Sequence, residues 1–180
     1  PEQAARLLSR ALTASKDNAV RARVAADVGQ VYLKSGDVKR AKASFQQVLD
    51  LGERGPATLI AARELCELCT ESAELKQLLA ALTLVVELEP EREPRQAAAR
   101  RLARLCDGDT KDPERSIVAF RALIGSPWTD EALRRLEALY RDAKDEDGLA
   151  EVLFHRAERT KDPDEARALA LSAAELATEK

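Results

Sequence analysis

The stretch "VGQVYLKSGDVKRAKASFQQVL", residues 28–49, decides the fold class of this chain. Apolar residues recur three and four positions apart on both sides of Gly36-Asp37, which is the spacing of a helix face. Glycine can adopt the left-handed conformation that ends a helix, and Asp37 can cap the helix that follows. The stretch therefore predicts two helices joined by a tight turn.

The same helical pattern continues through the 180 residues, in which aromatic side chains make up only 3%. The tetrapeptide TKDP occurs at 110–113 and 160–163, where Asp suits the N-cap and Pro the first helical position. Short links between the helices make sequence neighbours antiparallel. The pattern and its breaks predict ten helices, over residues 2–14, 19–35, 38–51, 57–70, 73–89, 94–107, 113–124, 129–143, 146–160 and 163–179.

Two sets of positions recur along the chain at a nearly constant period. Steps of 37, 37 and 34 residues connect the members of the first set, which are Tyr32, Cys69, Cys106 and Tyr140. Steps of 37, 38 and 34 residues connect the second set, which lies on the second helix of each pair: Phe45, Leu82, Phe120 and Phe154. Because both sets recur with nearly the same steps, the sequence predicts a stack of repeated helix pairs.

This pattern resembles the tetratricopeptide repeat family, whose unit is a helix–turn–helix of about 34 residues. The resemblance spans the whole chain and is most specific over residues 28–49. It implies that Gly29 permits close helix contact and that Tyr32 packs between helices. It further implies that Ala41 is a small contact residue and that Phe45 fills the groove between helices. The Trp that is usual near the start of the first helix is missing.

The resemblance implies an all-α fold, a right-handed superhelical α-solenoid of antiparallel helix pairs. The expected division is one solenoid over residues 1–180, with a half unit at 1–16, units at 17–55, 56–93, 94–127 and 128–161, and a half unit at 162–180. The chain starts at Pro1, contains no Met, and keeps its helical pattern to both ends. We therefore expect it to be part of a longer repeat protein.

Residues that could carry catalysis are few. His155 is the single histidine, and the chain contains no glycine-rich phosphate loop and none of the common hydrolase or metalloprotease motifs. We therefore expect neither catalysis nor a cofactor.

The pair Cys66 and Cys69 forms a C-x-x-C, a spacing that can hold a metal or a redox couple. A zinc site needs about four ligands, so Cys106 and His155 would have to converge on the pair from distant repeats. In the repeat register Cys66 instead takes the place of Gly29, where a small side chain is needed. The spacing favours two packing residues, and metal analysis tests the alternative.

Arginines concentrate in "RQAAARRLARL", residues 95–105, and "EALRRLEALYRD", residues 131–142. The resemblance places these first helices of their units on the concave surface. The predicted groove residues are Arg63, Arg100, Arg101, Arg104, Arg134, Arg135 and Arg141. Arginine binds carboxylates and phosphates through a planar fork. The alternative is that these arginines pair with acidic side chains of neighbouring helices.

We expect a non-catalytic protein–protein interaction scaffold that binds an acidic peptide or helix of a partner in this groove. The family's carboxylate clamp is not reproduced, because Ala26, Asp27 and Gln30 occupy its positions. The second hypothesis is self-assembly through the apolar ends, at Leu7-Leu8 and over residues 169–176.

Nucleic-acid binding is a third hypothesis, weakened by the net charge of −3 and the scarcity of stacking aromatics. No apolar run approaches the ~20 residues that a membrane span requires. Three cysteines are too few for a disulfide scaffold and favour a reducing compartment such as the cytoplasm.

Overall fold

The computed structural model describes residues 15–70, 73–107 and 111–178, and all regular structure within them is helical. The helices are α1 (Asn18–Lys34), α2 (Val38–Asp50), α3 (Pro56–Leu68), α4 (Leu75–Leu88), α5 (Arg92–Leu105), α6 (Pro113–Leu123), α7 (Thr129–Ala143), α8 (Glu146–Arg159) and α9 (Pro163–Thr178). Each bound agrees within two residues with its prediction, which confirms the all-α class. The predicted helix over 2–14 and the apolar pair Leu7-Leu8 lie outside the described residues.

Aspartates cap several of these helices, as the sequence predicts. Asp37 accepts a hydrogen bond from the Arg40 backbone N–H at the start of α2, at 3.0 Å. Both TKDP copies act as helix starts. Asp112 caps α6 by accepting from the Arg115 N–H, and Asp162 accepts from the Asp164 N–H beside the start of α9.

The start of α5 differs from its prediction. The sequence predicts that Pro94 begins this helix, whereas the helix starts at Arg92 and Pro94 lies within its first turn. The first N–H groups of a helix have no intrahelical acceptor, so a proline there removes no hydrogen bond.

The chain divides into two compact units, Pro1–Ala98 and Ala99–Lys180. In the first unit α1 packs on α2, α2 on α3 and α3 on α4, and α1 also contacts α3. The contact between α1 and α3 stacks one helix pair on the next. Phe45, Leu65 and Leu78 lie fully buried at the centre of this unit.

The two helices of the first pair approach closely at Gly29 in α1. A Cβ atom added there would lie 2.5 Å from the ring of Phe45 in α2. Phe45 itself is completely buried, as is Ala41 one turn earlier in α2. The absence of a side chain at Gly29 therefore lets the two helices approach over the Phe45 ring.

In the second unit α6 packs on α7, α7 on α8 and α8 on α9. Leu133 and Leu136 of α7 are buried in its core. A second glycine lies against an aromatic ring here, since a Cβ at Gly148 in α8 would be 2.6 Å from Tyr140 of α7. Gly148 is thus a contact position that the sequence analysis missed.

The first set of repeat positions lies at the ends of alternate helices. Cys69 and Cys106 directly follow α3 and α5, Tyr140 lies in the last turns of α7, and all three are buried. Tyr32 near the end of α1 is half-buried, with the Arg40 guanidinium 5.5 Å from its ring centroid. Small residues lie three positions before Tyr32, Cys69 and Cys106 and are also buried: Gly29, Cys66 and Ala103.

The second set is buried at Phe45, Leu82 and Phe120, but not at Phe154, whose side chain is 53% exposed. The predicted packing role of Phe154 is therefore wrong. In α8 the inner face carries Val152 and Leu153. One residue further along a helix rotates the side chain by about 100°, which turns Phe154 outward. No helix among those described has the length and apolarity needed to cross a bilayer.

Candidate functional site

The most distinctive polar surface of the second unit surrounds its one tryptophan. The guanidinium of Arg100 in α5 lies over the Trp128 ring, 4.0 Å from the ring centroid. The two side chains border a cavity of about 210 Å³, here called the Trp128 cavity, whose other lining residues include Ala103, Arg104 and Glu131. A cation held against an aromatic face keeps its charge and its outer N–H groups available.

The turn before α7 fixes the position of Trp128. The Trp128 backbone N–H donates to the Ser126 hydroxyl at 3.1 Å, and the Thr129 hydroxyl donates to the Ser126 carbonyl at 2.6 Å. The Gly125 N–H donates in turn to the Thr129 hydroxyl. Ser126 and Thr129 are both buried, so this network is shielded from water. The hydrogen bonds of the segment "SPWTD" therefore hold the backbone of the tryptophan in place.

A second cavity, of about 410 Å³, lies between the first turns of α7 and the end of α8. We call it the Arg134 cavity, and its charged lining residues are Asp130, Arg134, Arg156, Arg159 and Lys161. Four cations and one carboxylate thus line the cavity, and Arg156 also contacts Glu137 and Glu165 beyond the lining. Arg159 donates to Asp130 through Nε at 2.7 Å. This hydrogen bond, together with the charges of Arg159 and Arg134, lowers the pKa of Asp130 below its ordinary value.

The first unit has a cavity of different chemistry between α1 and α3, of about 460 Å³. Alanines of α1 and the side chains of Pro56 and Ile60 give it a mostly apolar lining, with Arg23, Asp27 and Arg54 among its charged residues. Of these cavities, the Arg134 cavity has the clearest excess of cationic over acidic lining residues.

Arg63, predicted as a groove residue, is engaged with a carboxylate of its own unit. Its guanidinium donates through Nε and Nη2 to the same oxygen of Glu89, whose side chain is fully buried. Burial alone would raise the pKa of Glu89. The hydrogen bonds from Arg63 and the Glu91 backbone N–H, with the charges of Arg63 and Arg95, outweigh burial and lower that pKa.

The other predicted groove arginines divide between paired and unpaired groups. Arg135 pairs with Asp107 at 3.1 Å, and Arg141 pairs with Glu137 on its own helix at 2.7 Å. Arg101 and Arg104 also interact within the protein. Arg134 alone of the seven forms no salt bridge and no ring contact with the residues described. Arg63 and Arg135 thus form ion pairs with neighbouring elements, as the alternative predicts, whereas Arg141 pairs within α7.

None of the three cysteines is in a disulfide bond, and all three are buried. Cys69 donates from Sγ to the Gln77 side-chain oxygen at 3.5 Å. His155 is on the surface of α8, with Nδ1 3.3 Å from a Glu158 oxygen. Among the described residues, no group of three or more His, Cys, Asp or Glu side chains is arranged to hold a metal ion.

Sequence reasoning missed several members of these sites. The sequence offered a reason to single out Trp128. It is the only tryptophan, it follows two helix-breaking residues, and it precedes the start of a helix. The basic run of Arg156, Arg159 and Lys161 was also visible, but its convergence with Arg134 depends on how α7 and α8 pack. Glu89 carried no signal, because nothing local distinguishes it from its exposed acidic neighbours.

No protein-family model, curated protein or solved structure matches the chain in the comparisons made. Any function must therefore be argued from the geometry of the two units.

Proposed function

We propose that this chain is a tetratricopeptide-like segment, built as a right-handed solenoid, and that it acts as a non-catalytic scaffold binding an acidic segment of a partner protein. The helix pairs, the contact of α1 with α3, and the Gly29–Phe45 approach support the repeat architecture. We place the binding site in the second unit, because Arg134, Arg156 and Arg159 line the Arg134 cavity and the stacked Arg100 borders the Trp128 cavity.

The stacked pair of Arg100 and Trp128 is the observation that carries this proposal. The ring holds the guanidinium in place, so a ligand carboxylate binds a cation that has already lost much of its side-chain freedom. Ala103 and Ala132 beside it leave room for an incoming chain. A carboxylate accepts both outer N–H groups of such a guanidinium, which favours an acidic segment over a neutral one.

Trp128 is the only tryptophan, so its fluorescence reports directly on this site. We expect a capped hexaglutamate peptide to change the emission in a saturable manner, whereas hexaglutamine and hexalysine leave it unchanged. The variant Arg100→Gln should weaken the hexaglutamate affinity roughly tenfold, as loss of a charged hydrogen-bond pair implies.

The matched control is Arg167→Gln, which removes the same charge from an exposed position on α9 outside both cavities. It should leave the affinity within about twofold of the unchanged protein, since surface charges remote from a ligand contribute little. Equal losses in the two variants would show that only net charge matters. Absence of any hexaglutamate response would contradict the proposed function.

Self-assembly is a second candidate, favoured by one observation. Phe154 on α8 and Leu171 on α9 are 53% and 59% exposed, on two helices that pack together. Sedimentation at increasing protein concentration tests it. A concentration-dependent mass that Phe154→Ser abolishes supports assembly, and a constant monomer mass rejects it.

A further inference from the structure

The Arg134 cavity holds more positive charge than its own carboxylates compensate. Neither Arg134 nor Lys161 forms a salt bridge with the residues that the structure describes. Arg159 and Arg156 face the same space. Guanidinium groups are weakly hydrated and bind oxyanions through two parallel N–H donors. The cavity therefore has the lining expected of an anion site.

Arg156 gives this cavity a fixed charge. It pairs with Glu137 of α7 and lies 3.6 Å from a Glu165 oxygen of α9, and its side chain is only 25% exposed. These contacts from two neighbouring helices restrict its rotamers before any ligand arrives. A preorganised cation loses less conformational entropy on binding than a free one.

Asp130 occupies part of the place that a ligand carboxylate would take. Its oxygen accepts the Arg159 Nε–H, and Arg134 is close enough to act on its charge. Yet the Asp130 side chain is 71% exposed and that of Arg159 is 49% exposed. Exposed ion pairs contribute little to stability, so an incoming carboxylate can replace Asp130 at small cost.

We propose that the Arg134 cavity binds a carboxylate of an acidic partner segment, and that Asp130 is an internal competitor which the ligand displaces from Arg159. This inference rests on the proposed function and adds to it a second contact point and a built-in limit on affinity. The ligand carboxylate then bridges Arg134 and Arg159, with Arg156 and Lys161 supplying the surrounding positive charge.

The test is a calorimetric titration of the full chain with the capped hexaglutamate peptide. The variant Asp130→Asn keeps the side chain's size and removes the competing charge, so the peptide should bind about twofold to fivefold tighter. Arg134→Gln should weaken binding roughly tenfold. Glu146→Gln is the matched control for Asp130→Asn, because it also removes an exposed carboxylate from the first turn of a helix.

The gain in affinity expected for Asp130→Asn distinguishes failure of this inference from failure of the proposed function. Hexaglutamate binding that is equal in Asp130→Asn, Glu146→Gln and the unchanged protein contradicts the competitor role and leaves the Trp128 cavity as the binding site. No hexaglutamate binding to any variant contradicts the proposed function itself. Inorganic phosphate is titrated in parallel, and tighter binding of phosphate than of the peptide contradicts the assignment of a carboxylate ligand.

The Arg159 Nε–H resonance gives a second readout on the unchanged protein, which does not depend on the folding of any variant. Displacement of Asp130 should shift this resonance in proportion to peptide saturation. A resonance that stays in place at full saturation contradicts the exchange of carboxylates at Arg159.

Discussion

At the scale of single residues, two glycines and one buried carboxylate control the contacts that matter most. Gly29 and Gly148 each lie against an aromatic ring of the partner helix, in α1–α2 and α7–α8 respectively. Glu89 is buried at the end of α4 and held by Arg63. Because these three positions are buried, we expect substitutions there to destabilise the fold, although the same substitutions would be harmless on the surface.

We expect Gly29→Ala to destabilise the protein by about 1–3 kcal/mol, because the new methyl group overlaps the Phe45 ring. The gain in helix propensity, of about 0.5–1 kcal/mol, is too small to compensate. Urea denaturation measures the change. The double variant with Phe45→Leu should lose less than the sum of the two single variants, since the smaller side chain relieves the overlap. Strict additivity would contradict this contact.

The pair of Arg63 and Glu89 should make stability depend on pH. The pKa of Glu89 is lower in the folded chain than its ordinary value of 4.5. Its stabilising contribution is therefore complete above that value and is lost as the pH falls through the folded-state pKa. We expect the stability difference between the unchanged protein and Glu89→Gln to shrink on acidification below pH 4.5.

Urea denaturation at pH 7 and at successively lower pH measures this difference. Glu93→Gln serves as the control, because Glu93 is exposed in the first turn of α5. A difference for Glu89→Gln that stays constant down to pH 3 would contradict the pairing.

At the scale of elements, helix boundaries follow from local chemistry, whereas the orientation of a helix about its axis does not. Both TKDP segments predict the starts of α6 and α9 correctly, since an aspartate cap and a proline act within one turn. The repeat period, in contrast, placed Phe154 in the core and was wrong there. Which residues of α8 face inward depends on its packing with α7 and α9, and a 34-residue step cannot resolve one residue of rotation.

Removal of the α6 cap tests whether local hydrogen bonding stabilises the start of this helix. We expect Asp112→Ala to lower the free energy of unfolding by about 0.5–2 kcal/mol, because the Arg115 N–H loses its acceptor. Asp142→Ala is the comparison, since that exposed aspartate is near the end of α7, where the helix dipole disfavours negative charge. It should change stability by no more than about 0.5 kcal/mol. Equal effects would show that Asp112 does not act as a cap.

At the scale of the whole molecule, the helical pattern and its breaks predicted the nine helices of the described residues, and the periodic positions predicted the burial of most repeat residues. The arginines of α5 and α7 pointed to the part of the second unit where the Trp128 and Arg134 cavities lie, but the sequence did not show which of them pair within the protein. That distinction depends on carboxylates such as Asp107, which only the packing of the helices brings close to Arg135. Trp128 and Lys161 line the two cavities but lie in turns. Turns have no helical period, so the periodic pattern could not predict their positions.

Binding through the arginine cavities should weaken as salt is added, because screening acts on the exposed charges that attract the peptide. We expect the hexaglutamate affinity to fall steadily as the ionic strength is raised from about 0.05 M to about 0.3 M. Calorimetry at several salt concentrations measures the trend. An affinity that is independent of salt would indicate apolar docking and contradict an acidic ligand.

The most direct test of the central claim is an amide NMR titration of the ¹⁵N-labelled chain with the capped hexaglutamate peptide. The two units differ in cavity chemistry, so the position of the response distinguishes them. We predict saturable shifts around Trp128, Arg134 and Lys161, with the α1–α3 cavity of the first unit unaffected. Shifts confined to the first unit, or no saturable shifts at all, would contradict the account.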